Sequence, residues 1–347
     1  MDTEVIAENI SRCASDNIPS ISSYMSATNI YGISLVSIGS VAVLTVIITF
    51  LDTLKYIMRN SSSRVKADSA FVIGVYPVIA VATFFVILVP RAHLLAEALT
   101  QGMFMAGMYQ LWCLFVGYCG GEAELVQKLK PGTLTLKVGP CCCWPCCICL
   151  PNLNVDKKTL HYLRLVVLQL PIVQGFVYII LLVMWAERES LYQVNYMYLQ
   201  PIIILSILLG IWGMLMTINF LKSVLEDEFL LSQKFLVLQT VLIFAKLQGL
   251  ITRILVWTNV LPCKPPITPA VYGNLIHNTL MLGEMVLLGF IARNLYKREL
   301  PVNNLKLKQI TTVSTMTNLD NTESNRPKDR VLLPTKGHIN KAADISV

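Results

Sequence analysis

Apolar positions in this chain come in long unbroken runs, without the alternation of a half-buried strand. Seven runs stand out, at 30–51, 69–90, 94–118, 163–186, 198–221, 235–260 and 270–292. Each exceeds the ~20 residues an α-helix needs to cross ~30 Å of hydrocarbon. The pattern predicts an all-α integral membrane bundle of seven transmembrane helices. Only Arg91, Ala92 and His93 separate the second run from the third, and Pro90 with Arg91 predicts a tight turn there. Composition excludes one large soluble core. Of 347 residues 54% are hydrophobic and 14% charged, and the mean hydropathy is +0.60, whereas soluble domains carry about 25% charged residues.

A net charge of +7 would suggest an acidic partner, but in a membrane protein the placement of the cations matters more than their total. Four Lys and Arg (Arg12, Arg91, Arg188, Lys264) fall in segments on the N-terminal side of the membrane, against twenty-one on the other. The cationic segments are the first loop (Lys55, Arg59, Arg64, Lys66), the third (Lys128, Lys130, Lys137, Lys157, Lys158), the fifth (Lys222, Lys234) and the C-terminal tail. Arg164, Lys246 and Arg253 lie within the runs. The positive-inside rule then places the N-terminus outside and the tail in the cytosol.

The domain organisation follows from this: an extracellular segment at 1–29, a transmembrane domain at 30–292 with a cytosolic loop at 119–162, and a cytosolic tail at 293–347. The tail is rich in Ser, Thr, Asn and Lys and is expected to be disordered. Residues 1–29 carry Asp2, Glu4, Glu8 and Asp16 with no apolar core before a cleavage site, so no signal peptide is expected and the first run acts as signal anchor. Asn9-Ile10-Ser11 is a glycosylation candidate on the outer side, and Asn60-Ser61-Ser62, on the inner side, is expected to go unused. The outer loops at 91–93, 187–197 and 261–269 are short, so recognition outside falls to helix ends or a cavity. No internal repeat is evident, and seven runs do not divide into equal inverted halves.

Six of the ten cysteines fall within nine residues, Cys141, Cys142, Cys143, Cys146, Cys147 and Cys149, with Gly139-Pro140 before them and Pro151 after. A cytosolic location disfavours a disulfide knot. Three readings stay open. Multiple S-acylation would pin the loop to the inner leaflet, each CH₂ adding about 0.8 kcal/mol. Zinc could use Cys143 and Cys146, although a second properly spaced pair is missing and the next histidine is His161. The third reading is an inert buried turn.

This block also carries a resemblance. Gly139-Pro140-Cys141-Cys142-Cys143 followed by Pro145-Cys146-Cys147, between the third and fourth runs, resembles the cysteine-rich loop of the alpha subunit of the organic solute transporter. Pro90-Arg91, Glu97, Gly120-Gly121, Lys234-Phe235 with Gln239, Pro265-Pro266 and Glu284 fall in the order and context of that family, over essentially 30–300. The resemblance implies a facilitative plasma-membrane transporter of bile acids, conjugated steroids and similar amphipathic organic anions, working with a small single-span beta-type subunit. Expected partners are thus that subunit, the organic anion or steroid substrate, membrane lipid and further copies of the chain in an oligomer. Cofactors and nucleic acid are not expected.

Charged groups at bilayer depth cost about 2.5–3.5 kcal/mol each on insertion scales, so each needs a partner, a wet cavity or a snorkelling route. Gln239, Lys246 and Arg253 recur every seventh residue and share a stripe that drifts only about 20° per heptad. Such a stripe should face protein or water and could receive the anionic group of a substrate. Equally, Lys246 or Arg253 could neutralise Glu97 or Glu284 in a structural pair, or Arg253 could snorkel. Glu97 and Glu284 match family positions and join the substrate-path candidates. His277, seven residues before Glu284, could pass a proton or simply satisfy a hydrogen bond. Gly210, Gly213 and Ser206 offer small surfaces for close helix packing.

No phosphate-binding Gly-Lys-Ser/Thr loop, His-Glu-x-x-His or Gly-x-Ser-x-Gly is present, and an enzyme is not expected. A seven-span receptor shares the topology, but the third run ends in Val116-Gly117-Tyr118-Cys119-Gly120-Gly121 and the seventh lacks Asn-Pro-x-x-Tyr. A trafficking or scaffold role in intracellular membranes is the other alternative.

Overall fold

Long apolar helices dominate the computed structural model, which describes residues 21–128, 133–134, 138, 153–154, 156–187, 189–222, 225, 229–258, 260–263 and 267–298. In chain order these are α1 (Ile21–Asn60), α2 (Ser63–Leu88), α3 (His93–Tyr118), the short α4 (Glu122–Lys128), α5 (Lys157–Glu187), α6 (Glu189–Lys222), α7 (Leu231–Trp257) and α8 (Pro269–Tyr296). A single 3₁₀ turn at Pro90–Ala92 links α2 to α3, with proline at its first position where no backbone N–H is needed. Asn29, at φ 41° and ψ −125°, breaks α1 into a short arm and a long helix. Pro77, Pro171 and Pro201 all lie inside continuous helices. The one strand pairing among the described residues is antiparallel, Thr133 with Asn154 and Leu134 with Leu153. Asn9, the block Cys141–Cys143, Cys146, Cys147 and Cys149, and the tail beyond Arg298 lie outside the described residues.

Six of the described helices are long and apolar enough to cross a membrane: Asn29–Asn60 of α1, α2, α5, Tyr196–Lys222 of α6, α7 and α8. This is a multi-pass membrane protein. The third run of the sequence forms α3, 26 residues long, but α3 is not among the six. Its polar positions Glu97, Thr100, Gln101 and Gln110 explain the difference. α3 packs against α2, α5 and, more lightly, α7, so its surface meets protein where the others meet lipid, and protein tolerates polar groups that lipid does not.

Named contacts fix the directions of the helices. Glu97 meets Tyr178 and Tyr109 meets Arg164, so α3 and α5 are antiparallel. Gly39 lies beside Leu282 and Val46 beside Gly289, and further along Asp52 bonds Arg293 at 2.8 Å and Lys297 at 2.5 Å, which sets α1 parallel to α8. Gln169 reaches Ser206 and Gln174 reaches Ile203, so α5 and α6 are antiparallel and α6 is parallel to α3, to which it is tied where Trp112 donates to Thr217 at 3.1 Å. At the end where α3 stops, Gly120 (φ 91°) and Gly121 (φ 102°) return their amides to Gly117 and Val116, a left-handed C-terminal cap that glycine adopts without Cβ strain. Arg64 donates to the Gly120 carbonyl, and Arg164 pairs with Glu122 at 3.2 Å. Arg164 is thus an interfacial anchor of the α3–α4 turn.

Between apolar helices in lipid, close packing and interhelical hydrogen bonds replace the hydrophobic effect as the driving force. The α5–α6 seam uses both. Gln169 and Ser206 exchange two hydrogen bonds of 2.8 Å. A Cβ at Gly210 would stand 2.3 Å from two Leu170 side-chain atoms, and one at Gly213 2.9 Å from Val166. Leu170 is fully buried and has nowhere to go. Gly210→Leu is therefore expected to destabilise the protein by about 1–3 kcal/mol or more through overpacking. Thermal unfolding of the purified protein would read this directly, and an unchanged midpoint would show the seam to be looser than described.

Candidate functional site

Two sizeable cavities open among the described helices, and their linings separate them. One, of about 580 Å³, is a groove between α1, α2 and α3 walled by Phe50, Phe71, Pro77, Phe85, Leu95, Met103 and similar side chains, without a polar side chain in its lining. Nothing in it can orient a ligand. The other, of about 530 Å³, is bounded by α3 and α8 with Thr83 of α2 behind, and by α6 and α7 at the sides. Apolar surface with a few convergent polar groups is the usual make-up of a ligand site.

α3 contributes His93, Glu97, Thr100 and Gln101, successive turns of one face. α8 contributes Asn274, His277, Asn278 and Met281; α6 contributes Tyr196, Gln200 and a run of Ile and Leu; α7 contributes Leu242 through Arg253, including Lys246 and Gly249. The chamber lies toward the Pro90–Ala92 end of the bundle. Along α7 it extends from Leu242 to Arg253, eleven rises of 1.5 Å or about 16 Å. Beyond it the bundle closes on buried Phe104, Met108, Trp112, Leu238, Val241 and Met285.

Among the described residues its charged lining consists of Lys246, Arg253 and Glu97. Tyr178 donates to Glu97 at 3.5 Å, and the Arg253 guanidinium carbon lies 4.9 Å from the centroid of the Tyr196 ring. Among the described residues Lys246 makes no ion pair. The alternative in which Lys246 neutralises Glu97 or Glu284 has no such ion pair among the described residues. His277 stands within electrostatic reach of Glu97, Lys246 and Arg253. Four lining side chains hold a buried polar atom that finds no hydrogen-bond partner among the described residues: His93 Nδ1, Gln101 Nε2, Gln200 Oε1 and His277 Nδ1. Unmet polar atoms are costly, and a polar ligand or water in the chamber would satisfy them.

Of the substrate-path candidates read from the sequence, Glu97, Lys246, Arg253 and His277 come together here. Two do not. Gln239 is buried below the chamber on α7, so the heptad stripe runs on into the sealed half. Glu284 accepts from Gln248 across the α7–α8 seam and belongs to helix packing. His93, Gln101, Tyr196, Gln200 and Gly249 were missed. Gln101 and Gln200 were readable as amides inside apolar runs, whereas nothing in the sequence marks Tyr196.

Lys234 also escaped notice as a buried group. It is 3% exposed at the start of α7 and donates to the Tyr118 hydroxyl at 2.8 Å. It stands 4.7 Å and 4.9 Å from the ring centroids of Tyr118 and Tyr296. At the opposite end, Cys263 in the α7–α8 connection is disulfide-bonded, and Tyr24 of the α1 arm packs on Ile267 and Val271.

Comparison with known proteins gives a consistent picture. The family model described as organic solute transporter Ostalpha matches residues 34–300. The chain is similar to the organic solute transporter alpha-like protein of Drosophila melanogaster, 28% identical over 284 residues, or 82% of this chain and 86% of the relative. It is likewise similar to the organic solute transporter subunit alpha of Danio rerio, 24% identical over 276 residues (78% and 84%). The corresponding subunit of Leucoraja erinaceus is 26% identical over 270 residues (76% and 75%). No solved structure matches.

Proposed function

The chain belongs to the organic solute transporter Ostalpha family, and from that premise we propose that it is the alpha-type subunit of a plasma-membrane transporter that passes amphipathic organic anions, such as bile acids and conjugated steroids, through the chamber between α3, α6, α7 and α8. The observation that carries this reading is the lining of that chamber, with two cations, Lys246 and Arg253, against one carboxylate, Glu97, among apolar walls. A carboxylate or sulfate would be held by charge-assisted hydrogen bonds while a ring system packs on Ile203, Ile207 and Met281. Chemistry on the solute is not part of this function.

All seven long helices, α3 included, are proposed to span, with the N-terminus outside. The clustering of Lys55, Arg59, Arg64, Lys66, Lys222, Arg293 and Lys297 near one end of the helices supports that direction. The disulfide at Cys263 supports it from the other end, since such bonds persist on the oxidising side of a membrane. The chamber then lies in the outer half. Relatives are named as alpha subunits, which supports assembly with a small single-span beta-type partner. The block Cys141–Cys143, Cys146, Cys147 and Cys149 is proposed to be S-acylated, and Asn9 glycosylated.

Expression with and without the single-span partner, followed by efflux of a labelled steroid sulfate from membrane vesicles, tests the reading. Flux above that of empty membranes is expected, greatest with both chains. Absence of flux under either condition, with the protein at the cell surface, would overturn it.

A further inference from the structure

We propose that the chamber takes its ligand sideways from the bilayer, through a slot between α6 and α7, and that Gly249 is the seat against which the ligand's apolar body lies while its anion sits between Lys246 and Arg253. The inference rests on the transport reading above and adds to it a route and a residue that sets the size of the ligand.

The slot follows from which helices touch. α3 and α8 form the rear of the chamber. α6 packs along α5, and α7 packs along α8, but α6 and α7 barely meet. Among the described residues the side opposite the rear wall is therefore open between them. Its edges are Ile204 (51% exposed) and Leu208 (36%) on α6, and Ile243 (49%) and Leu250 (57%) on α7. Each of these four both lines the chamber and faces outward. At this level of a membrane-crossing helix, outward means acyl chains. One apolar surface thus leads from lipid to an inner wall that carries Lys246, Arg253 and Glu97.

This arrangement selects a chemical class. A hydrophilic anion would have to leave both water and its hydration shell to pass four aliphatic side chains. An amphipathic anion already lying in the leaflet has its apolar body in hydrocarbon and needs only to bring its charged end to the cations. The ligand is accordingly a rigid or chain-like hydrophobic body with one anionic group.

Gly249 sits between the two cations on the chamber face of α7, three residues after Lys246 and four before Arg253. A Cβ there would meet nothing within 4 Å. The contrast with Gly210 is direct, since that glycine admits a neighbouring helix and Gly249 admits none. Glycine inside a helix costs about 1 kcal/mol relative to alanine, and no packing need offsets it here. The empty space belongs to the chamber, and a steroid-sized body fits against it.

The test uses the full chain with its single-span partner in proteoliposomes and a labelled steroid sulfate as probe. Gly249→Ala is expected to retain flux. Gly249→Leu and Gly249→Trp are expected to lower flux progressively, by about tenfold or more for the larger side chain, with unfolding temperatures at or above wild type. In parallel, a steroid sulfate carrying a photoreactive group on the ring remote from the sulfate is irradiated with the complex in nanodiscs. Adducts are expected on Ile204, Ile243 or Leu250. Full flux in Gly249→Trp, or adducts confined to the α2–α3 turn, would overturn the lateral route. The transport reading would survive that result if neutralising Lys246 and Arg253 still stopped flux. If no variant and no wild-type protein moves the probe, the transport reading fails, and the adduct positions alone decide whether the slot binds the amphiphile.

Discussion

Replacing Lys246 and Arg253 together by glutamine should lower flux of a steroid sulfate by about a hundredfold while leaving the protein folded. Charge-assisted hydrogen bonds contribute about 1.5–3 kcal/mol each, so losing two from a bound anion removes about 3 kcal/mol or more, and each 1.36 kcal/mol is tenfold in rate. The fold should tolerate the change because Lys246 has no ion-pair partner among the described residues and both side chains line open space. Removing Lys246, which makes no ion pair among the described residues, from bilayer depth relieves about 2.5–3.5 kcal/mol on insertion scales. Arg253→Gln also gives up the contact with the Tyr196 ring, so the single Lys246→Gln variant should be the more stable of the two. Flux normalised to protein at the vesicle surface separates the effects. Undiminished flux in the double variant would make both residues structural.

A second large effect is expected at the sealed end of the bundle, where Lys234→Glu should abolish folded protein. The Lys234 ammonium is held by the Tyr118 hydroxyl and lies over two aromatic rings. Ring faces carry negative potential, favourable to a cation and repulsive to a carboxylate. Glutamate would place a buried anion there with no cation among the described residues to pair it, and an uncompensated buried charge costs roughly 3–5 kcal/mol. Lys234→Met keeps the length of the side chain and loses only the hydrogen bond and the cation–ring attraction, about 2–3 kcal/mol together. Membrane-inserted yield and thermal unfolding check the pair. Folded Lys234→Glu at wild-type yield would show that the site is wet or differently partnered.

The helices were legible because hydrocarbon imposes one length and one composition on any segment it surrounds. All seven apolar runs fall in helices, including α3, although α2 stops at Leu88 and α7 at Trp257, two and three residues short of their runs. What the runs could not express was who surrounds whom. α3 is largely enclosed by other helices, and that enclosure is why it can carry Glu97 and Gln101 and fall outside the six lipid-compatible spans. The chamber was half legible. Lys246 and Arg253 announced themselves as cations in an apolar run, and the seven-residue spacing put them on one face. Gln239 shares that spacing but lies deeper along the axis, and periodicity records angle without depth. Glu284 had the same kind of signal as Glu97, yet its partner Gln248 is set by the α7–α8 contact, a tertiary fact. Lys234 looked like a loop cation because the sequence could not show that Tyr118 and Tyr296 close over it. Gly249 was one glycine among eighteen; Gly102, Gly175 and Gly283 also face open space, and what sets Gly249 apart is that its open space is the chamber, a tertiary fact.

The central claim is that a positively charged, lipid-fringed chamber selects anions with an apolar body. Charge selectivity in one vesicle preparation tests it most directly. The chain and its single-span partner are reconstituted, and uptake is compared for a steroid sulfate, the parent uncharged steroid and a steroid of the same ring system bearing a quaternary ammonium. Saturable uptake of the sulfate alone is expected, abolished by neutralising Lys246 and Arg253. Uptake of the ammonium steroid at a rate equal to the sulfate would contradict it, because a chamber carrying two cations against one carboxylate has no means of treating the two ions alike.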